Sequence, residues 1–528
     1  MMNPDTLGGA LEDSWARWPD RPALVFGGGR MTYRQLGEAV KALARAYHGW
    51  GINRGDRVVS AVSNRPEKII ALGAAWTCGA AHVGVDYQFT GPELASVIEL
   101  TRPKALLYEP HQLADPSEVI GALQRDHPDL RIIIVGDRAF AGDYATTSEL
   151  IAANSAPETD KEDQSGPLPE DPALIFISSG TTGKPKATIG YQGNLAHRWR
   201  RLAAWLEFGP DDVHLAQLPL SHGFGLMMAM GALLSGGRLV LLDRFSAEEA
   251  LHSVVAERVT VLNGAPAHFK LILNRLDPAR HDVRSLRLSV GTAAFFPPSL
   301  VEAIWEKLGV KFMFMYGSSE GVGVATTDRD DILRGSVGRP APGSATIVGP
   351  DHEPLPIGEV GEIAFSRDVY PVRYWTEATN GSQEPQGVEK QKESRWYYSG
   401  DLGRLDEEGR LYVFGRLKHQ IDRGGLKVDP VEVESALLEC PGVSDAAVIG
   451  LPNPVLGETV CACVVPANGQ APNLEELRAA LGGRLAPYKL PEELCVLDRI
   501  PRTQLGKVDL QELRGRVEET RTQSLRNR

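Results

Sequence analysis

Ser178-Ser179-Gly180-Thr181-Thr182-Gly183-Lys184-Pro185-Lys186 follows directly on the apolar run Ala173-Leu174-Ile175-Phe176-Ile177. A β-branched and aromatic run of this kind reads as a buried strand. It delivers the loop to one fixed point. The two glycines admit backbone conformations closed to other residues. Successive N–H groups, serine and threonine hydroxyls and lysines can then converge on anionic oxygens. The loop differs from the Walker A pattern, in which Gly-Lys is followed by Ser or Thr and a helix, because Pro185 follows Gly183-Lys184 here. Taken alone, the stretch reads equally as a phosphate cradle and as a solvated hairpin turn, since turns favour the same residues.

Outward from this loop, strand-like runs such as Arg131-Ile132-Ile133-Ile134-Val135 and Arg238-Leu239-Val240-Leu241-Leu242 alternate with helical patterns at 246–258 and 298–308. That alternation predicts an α/β protein. Residues 154–171 and 378–394 are polar and read as surface connections. After Lys418 the pattern restarts, with helices expected at 431–439 and 474–485 and strands at 446–449 and 460–465. This suffices for a small α+β domain of its own, so the predicted domains are 1–417 and 418–528.

Further motifs stand in order behind the loop: Tyr316-Gly317-Ser318-Ser319-Glu320, Tyr398-Ser399-Gly400-Asp401, Gly415-Arg416-Leu417-Lys418 and Pro501-Arg502-Thr503-Gln504-Leu505-Gly506-Lys507. Ahead of it lie Thr32-Tyr33, Leu36, Gly55-Asp56-Arg57-Val58 and Asn64, and near the end Leu485-Ala486-Pro487-Tyr488-Lys489-Leu490-Pro491. In this order the chain resembles the adenylate-forming superfamily, on the acyl-CoA and aryl-CoA synthetase branch, over nearly its whole length. The resemblance implies a large N-terminal domain of β-sheets sandwiched by helices with a barrel-like β subdomain. It also implies a small mobile C-terminal α+β domain.

The implied chemistry is attack of a carboxylate on the α-phosphate of ATP, anion on anion, which requires neutralised charge and in-line positioning. By resemblance, ATP is held by Ser178, Ser179, Gly180, Thr181, Thr182, Gly183, Lys186, Tyr316, Gly317, Ser319, Asp401 and Arg416. Tyr316 would offer a face to adenine, and Asp401 would accept from the ribose hydroxyls. Glu320 would hold Mg²⁺, an oxygen-seeking cation bound mainly through substrate phosphates. Thr182, Glu320, His222 and Lys507 would be the catalytic set. Lys418 would be the hinge, and Gly424 and Gly425 would line a channel for the thiol of coenzyme A. The acyl pocket would be built from Phe224, Met227, Met228, Gly291, Thr292, Ala293, Gly321, Val322 and Gly323. The small residues at 291–293 and 321–323 imply a bulky acid, and no carboxylate follows His222 to pair with an α-ammonium.

Composition sets outer bounds. With 528 residues, 42% hydrophobic, the chain can bury large cores. A net charge of -12 argues against a general nucleic-acid or anionic-membrane binder. No apolar run of about 20 residues could span a bilayer. The start Met1-Met2-Asn3-Pro4-Asp5 lacks the layout of a signal peptide. A cytoplasmic location is expected, and five cysteines fit a reducing compartment. Cys461 and Cys463 would share a strand face, as buried core or a metal pair. Departures from the common pattern fall at 291–296, Arg373-Tyr374, Lys418-His419 and Asp422. Three alternatives stay open: an acyl carrier protein as acceptor in place of coenzyme A, luciferase-like oxidation of a special substrate, and a degenerate binding protein without catalysis.

Overall fold

The computed structural model describes residues 2–110, 116–136, 144–155, 166–178, 186–292, 296–318, 323–367, 375, 394–424, 426–467, 469, 472–482, 484–503 and 506–526. Among these, two mostly parallel sheets form the body. One has eight strands, in the order Gly323–Thr326, Lys311–Gly317, Leu288–Gly291, Val261–Gly264, Val213–Ala216, Arg238–Leu241, Pro22–Phe26 and Gly29–Thr32. Its two outermost strands pair antiparallel and the rest run parallel. The other has seven strands, in the order Ala145–Thr146, Arg131–Ile134, Ala105–Tyr108, Arg57–Ala61, Ala81–Val85, Pro172–Ser178 and Lys186–Tyr191.

Strands buried on both faces need helices on both faces. Between the two sheets, one cluster joins Leu7, Trp15, Tyr33, Trp76, Trp199 and Met230 from five helices to Leu24, Leu107, Leu174 and Leu239 from strands. Helices Ala247–Glu257, Pro266–Arg275 and Pro298–Leu308 cover the outer face of the eight-stranded sheet. Helices Gly91–Thr101 and Pro116–Asp126 cover that of the seven-stranded sheet. The result is a five-layer sandwich, as the α/β reading expects. A five-stranded antiparallel sheet follows, in the order Ser336–Gly338, Leu411–Arg416, Trp396–Leu405, Gly361–Ser366 and Ala345–Val348. It shares its core with Val324, Phe314 and Tyr316 at the edge of the large sheet.

From Ile421 onward the chain builds a separate sheet of Leu426–Val428, Ile421–Arg423, Gly457–Pro466, Val443–Asn453 and Glu493–Val496, flanked by helices Pro430–Leu438, Leu474–Leu481 and Leu510–Arg526. Cys461, Cys463 and Cys495 are buried in its core beside Leu513 and Val517. Among the described residues no group of three or more His, Cys, Asp or Glu could hold a metal, and Cys461 and Cys463 pack within the hydrophobic core. No described helix is long and apolar enough to cross a membrane.

Candidate active site

In open α/β sheets ligands gather beyond the carboxyl ends of the strands, and here those ends meet. The side-chain amide of Asn64, just after strand Arg57–Ala61, donates to the carbonyls of Ala216 (3.2 Å) and Leu218 (2.9 Å). Its oxygen accepts from the Leu220 N–H (2.9 Å). One residue of the seven-stranded sheet thus pins the segment leaving strand Val213–Ala216 of the other. Gly84 comes so near Ser221 that an added Cβ would lie 3.3 Å from its Cα. His222 ends this pinned segment and caps helix Gly223–Leu234. Its pKa is lowered to about 4, first by burial and then by the nearby cations Lys68 and Lys507. The imidazole is therefore neutral at pH 7 and lies within the field of the C-terminal lysine.

The phosphate-loop reading is anchored at its ends. Strands Pro172–Ser178 and Lys186–Tyr191 pair antiparallel with Ser178 opposite Lys186. Ser179, Gly180, Thr181, Thr182 and Gly183 lie outside the described residues, as do Ala293, Ser319, Glu320, Gly321, Val322 and Gly425.

A second group forms where the antiparallel sheet meets the large one. The Tyr316 hydroxyl donates to Asp401 Oδ2 (2.6 Å), and the Arg416 guanidinium forms an ion pair with Asp401, Nε to Oδ1 2.7 Å. Asp401 and Arg416 are direct partners across two strands. Gly400 turns the chain into place at φ +73°, a conformation that favours glycine. Asp401 is only 6% exposed. Burial, followed by the neighbouring carboxylate, holds the Tyr316 phenol well above its ordinary range. Gly317 sits at the strand end opposite Gly323, where an added Cβ would lie 2.9 Å from the Tyr316 carbonyl oxygen. Three residues scattered over a hundred positions of sequence are thus joined by one hydrogen bond and one ion pair.

The segment carrying Lys507 docks against helix Pro266–Arg275 of the large body. A Cβ on Gly506 would lie 3.0 Å from Ala265 Cβ and 3.6 Å from the His268 ring. Beside it opens a cleft of about 360 Å³, lined on one side by Arg502, Thr503 and Gly506 and on the other by Lys68, Tyr87 and His268. Lys68 was not singled out in the sequence, yet its ammonium is fully buried and donates to the Val62 carbonyl (2.7 Å). The available signal was a lysine amid the apolar face of residues 66–77.

The residues expected to line an acyl pocket divide. Phe224 and Met227 are partly exposed and Thr292 is nearly buried. Met228 is packed among Leu206, Val261 and Leu288 as core. Free volume was expected beside Gly291, but an added Cβ there would lie 2.5 Å from the Phe312 ring and 2.7 Å from that of Phe296. Two rings already fill that side. Lys418 lies in the short 3₁₀ turn Leu417–His419 that links the two bodies. Gly424 adopts φ +62° and donates its N–H to the Leu456 carbonyl (2.6 Å). The unusual Asp422 faces Lys427 across two strands, with the ions 2.7 Å apart.

Residues 11–375 match the family described as AMP-binding enzyme, and residues 432–507 match the AMP-binding enzyme C-terminal domain. The chain is 31% identical to a 2-hydroxy-7-methoxy-5-methyl-1-naphthoate–CoA ligase of Streptomyces carzinostaticus, over 98% of this chain and 94% of that one. It is 32% identical to an indoleacetate–CoA ligase of Aromatoleum aromaticum, over 94% of this chain and 96% of that one. Among solved structures, ATP-bound MatB from Rhodopseudomonas palustris superimposes with a TM-score of 0.82 at 26% identity. That match covers 98% of this chain and 99% of the other.

Proposed function

The chain belongs to the AMP-binding enzyme family and has that family's C-terminal domain as well, and on that premise we propose that it activates a bulky carboxylic acid without an α-amino group as its acyl-adenylate and transfers the acyl group to coenzyme A. It is an ATP-dependent acid–thiol ligase, an AMP-forming acyl-CoA synthetase. The observation that carries the residue-level reading is the position of Lys507. It belongs to the C-terminal domain, yet its charge is near enough to help lower the His222 pKa, and its neighbour Gly506 lines the cleft together with Lys68 and His268.

In the first half-reaction the substrate carboxylate attacks the α-phosphorus of ATP, the α–β anhydride bond breaks and pyrophosphate leaves. The nucleoside is held by Tyr316, Asp401 and Arg416; a hydrogen bond from Tyr316 and an ion pair with Arg416 fix the Asp401 acceptor before ligand arrives. Lys507 brings positive charge to the carboxylate and the α-phosphate oxygens as negative charge builds there. His222, uncharged, orients the carboxylate without competing for it as a cation. Residues 178–186, with Ser178 and Lys186 at the ends, cradle the β- and γ-phosphates. Mg²⁺ travels with the nucleotide and supplies charge neutralisation when bound. Glu320 would be its protein ligand, and among the described residues no group of three or more His, Cys, Asp or Glu offers a cage of its own.

In the second half-reaction the thiol of coenzyme A attacks the acyl carbon and AMP leaves. The domains divide at 417/418, and rotation about Lys418 withdraws Lys507 and brings Gly424 and Gly425 to the thiol's path. The acyl group lies against Phe224, Met227 and Thr292, with Gly291, Ala293, Gly321, Val322 and Gly323 as the remaining wall and Met228 in the core behind it. The relatives' aromatic acids, naphthoate and indoleacetate, support a ring-sized acyl group.

The test is AMP release from ATP and Mg²⁺ with acetate, benzoate, decanoate and a fused-ring acid, each with and without coenzyme A. Thiol-dependent AMP formation with a ring-bearing acid is expected. A product formed only on a carrier-protein pantetheine would replace the acceptor, and no adenylate with any acid would overturn the reading.

A further inference from the structure

Lys507 sits on a loop that must be brought to the large domain and held there, and the structure contains an unbroken polar chain that reaches that loop from the opposite body. Arg502 opens the loop. Its Nη1 donates to the Gly506 carbonyl (3.0 Å), the residue before Lys507. Its Nη2 donates to both carboxylate oxygens of Asp445 (2.8 and 2.9 Å). Asp445 lies on strand Val443–Asn453 of the C-terminal domain. Its Oδ1 also faces the Lys270 ammonium at 3.8 Å, on helix Pro266–Arg275 of the large domain. The loop is closed on itself by hydrogen bonds from Thr503 N–H to the Lys507 carbonyl and from Gly506 N–H to the Thr503 carbonyl, both 2.8 Å. A planar guanidinium engaged on two edges cannot shift without breaking one set of bonds.

We propose that Arg502, Asp445 and Lys270 position Lys507 for the adenylation step alone, with Asp445 as the joint between the domains. Arg502 shapes the loop and Asp445 orients Arg502. Lys270 joins this assembly to the large domain only while Lys507 is in place. Because the Lys270–Asp445 contact crosses between bodies, it is broken when the domains rotate. All three act through Lys507 as positioning residues. The proposal rests on the reading of Lys507 as the adenylating lysine.

Three variants test it: Lys270→Met, Lys270→Arg and Asp445→Asn. Adenylation is followed by ATP–pyrophosphate exchange, and thioester formation is followed from supplied acyl-adenylate and coenzyme A. A part-exposed ion pair supports a loss of about two- to fivefold in the adenylation kcat of Lys270→Met. Weakening the charge-assisted contact to Arg502 supports about tenfold in Asp445→Asn. In both, KM for ATP should hold and thioester formation should be unimpaired, and Lys270→Arg should restore the rate. Equal losses in both half-reactions, or none, overturn the proposal.

A second readout needs no turnover. The five native cysteines are buried, so a Leu271→Cys, Thr503→Cys pair across the cleft can be joined selectively by a short bis-maleimide. Adding Lys270→Met should slow the cross-link and Lys270→Arg should not. That result in a protein that adenylates no acid would keep the positioning role and remove the activity reading. An unchanged cross-linking rate in Lys270→Met overturns the positioning role.

Discussion

Lys68 carries a charge that the fold tolerates at a cost. Its side chain is 1% exposed, its ammonium bonds to one carbonyl, and burial lowers its pKa from 10.5 to about 8 against the pull of Asp86 and Glu109. Between about pH 8 and 10.5 the unfolded chain therefore binds more protons at this site than the native one. Stability contributed by this group rises with pH across that window, while below pH 8 the full burial penalty persists. Lys68→Met should abolish that rise and raise neutral-pH stability by about 1–2 kcal/mol. This is what remains of a penalty of about 3 kcal/mol once the Val62 carbonyl is left unpaired. Denaturation at pH 7 and 9.5 checks both, and a less stable variant at pH 7 would show the ammonium to be net favourable. At the reacting centre, Lys507→Ala should lower adenylation by two to three powers of ten, since one donor aimed at developing charge contributes about 3–4 kcal/mol. Thioester formation from supplied acyl-adenylate should be spared, and similar losses in both steps would remove Lys507 from its role. Tyr316, Asp401 and Arg416 were legible in the sequence because each sits inside a short motif. Lys270 and Asp445 were not, since nothing local marks two ordinary surface-type residues that meet only in three dimensions.

Among elements, helix Pro298–Leu308 was legible to the residue. Proline opens it where a missing N–H costs nothing, and Gly309 closes it at φ +66°. The helix expected at 474–485 stops at Leu481, because Gly482 follows and glycine is costly in a helix interior. The Arg484 and Leu485 N–H groups still bond back to the Leu481 carbonyl, which kept the apolar spacing helical in appearance. Strand Val443–Asn453 is much longer than the four residues expected, since Ser444 and Asp445 break the apolar run while the backbone continues to pair with Gly457–Pro466. The linker is an element too. Lys418→Pro suits a 3₁₀ turn, where φ is already near the proline value. It should preserve adenylation and slow thioester formation, measured as separate half-reactions. Equal rates in both would place the pivot elsewhere. Gly291→Ala should destabilise the large domain by about 1–3 kcal/mol through overpacking against Phe312 and Phe296. An unchanged thermal midpoint would mean those rings relax freely.

For the whole molecule, the five-layer body was legible as alternating strands and helices, while the packing of Phe312 and Phe296 behind Gly291 was not. Small residues in sequence suggested open volume, and two phenylalanine rings approach from behind Gly291 to occupy part of it. The acyl site proposed above should still prefer benzoate or a fused-ring acid to acetate by more than about a hundredfold in kcat/KM, at about 0.8 kcal/mol for each methylene-sized group buried. A preference for acetate would show the pocket closed. Tyr316, Asp401 and Arg416 all precede Leu417, whereas Lys507 belongs to the body that follows it. On the roles proposed for these residues, grip on the nucleotide and the power to use it are written in separate stretches of chain. Drift in the tail can silence turnover while the body goes on sequestering ATP, and an inhibitor that reads only the nucleoside cradle would be blind to whether the enzyme it occupies is alive.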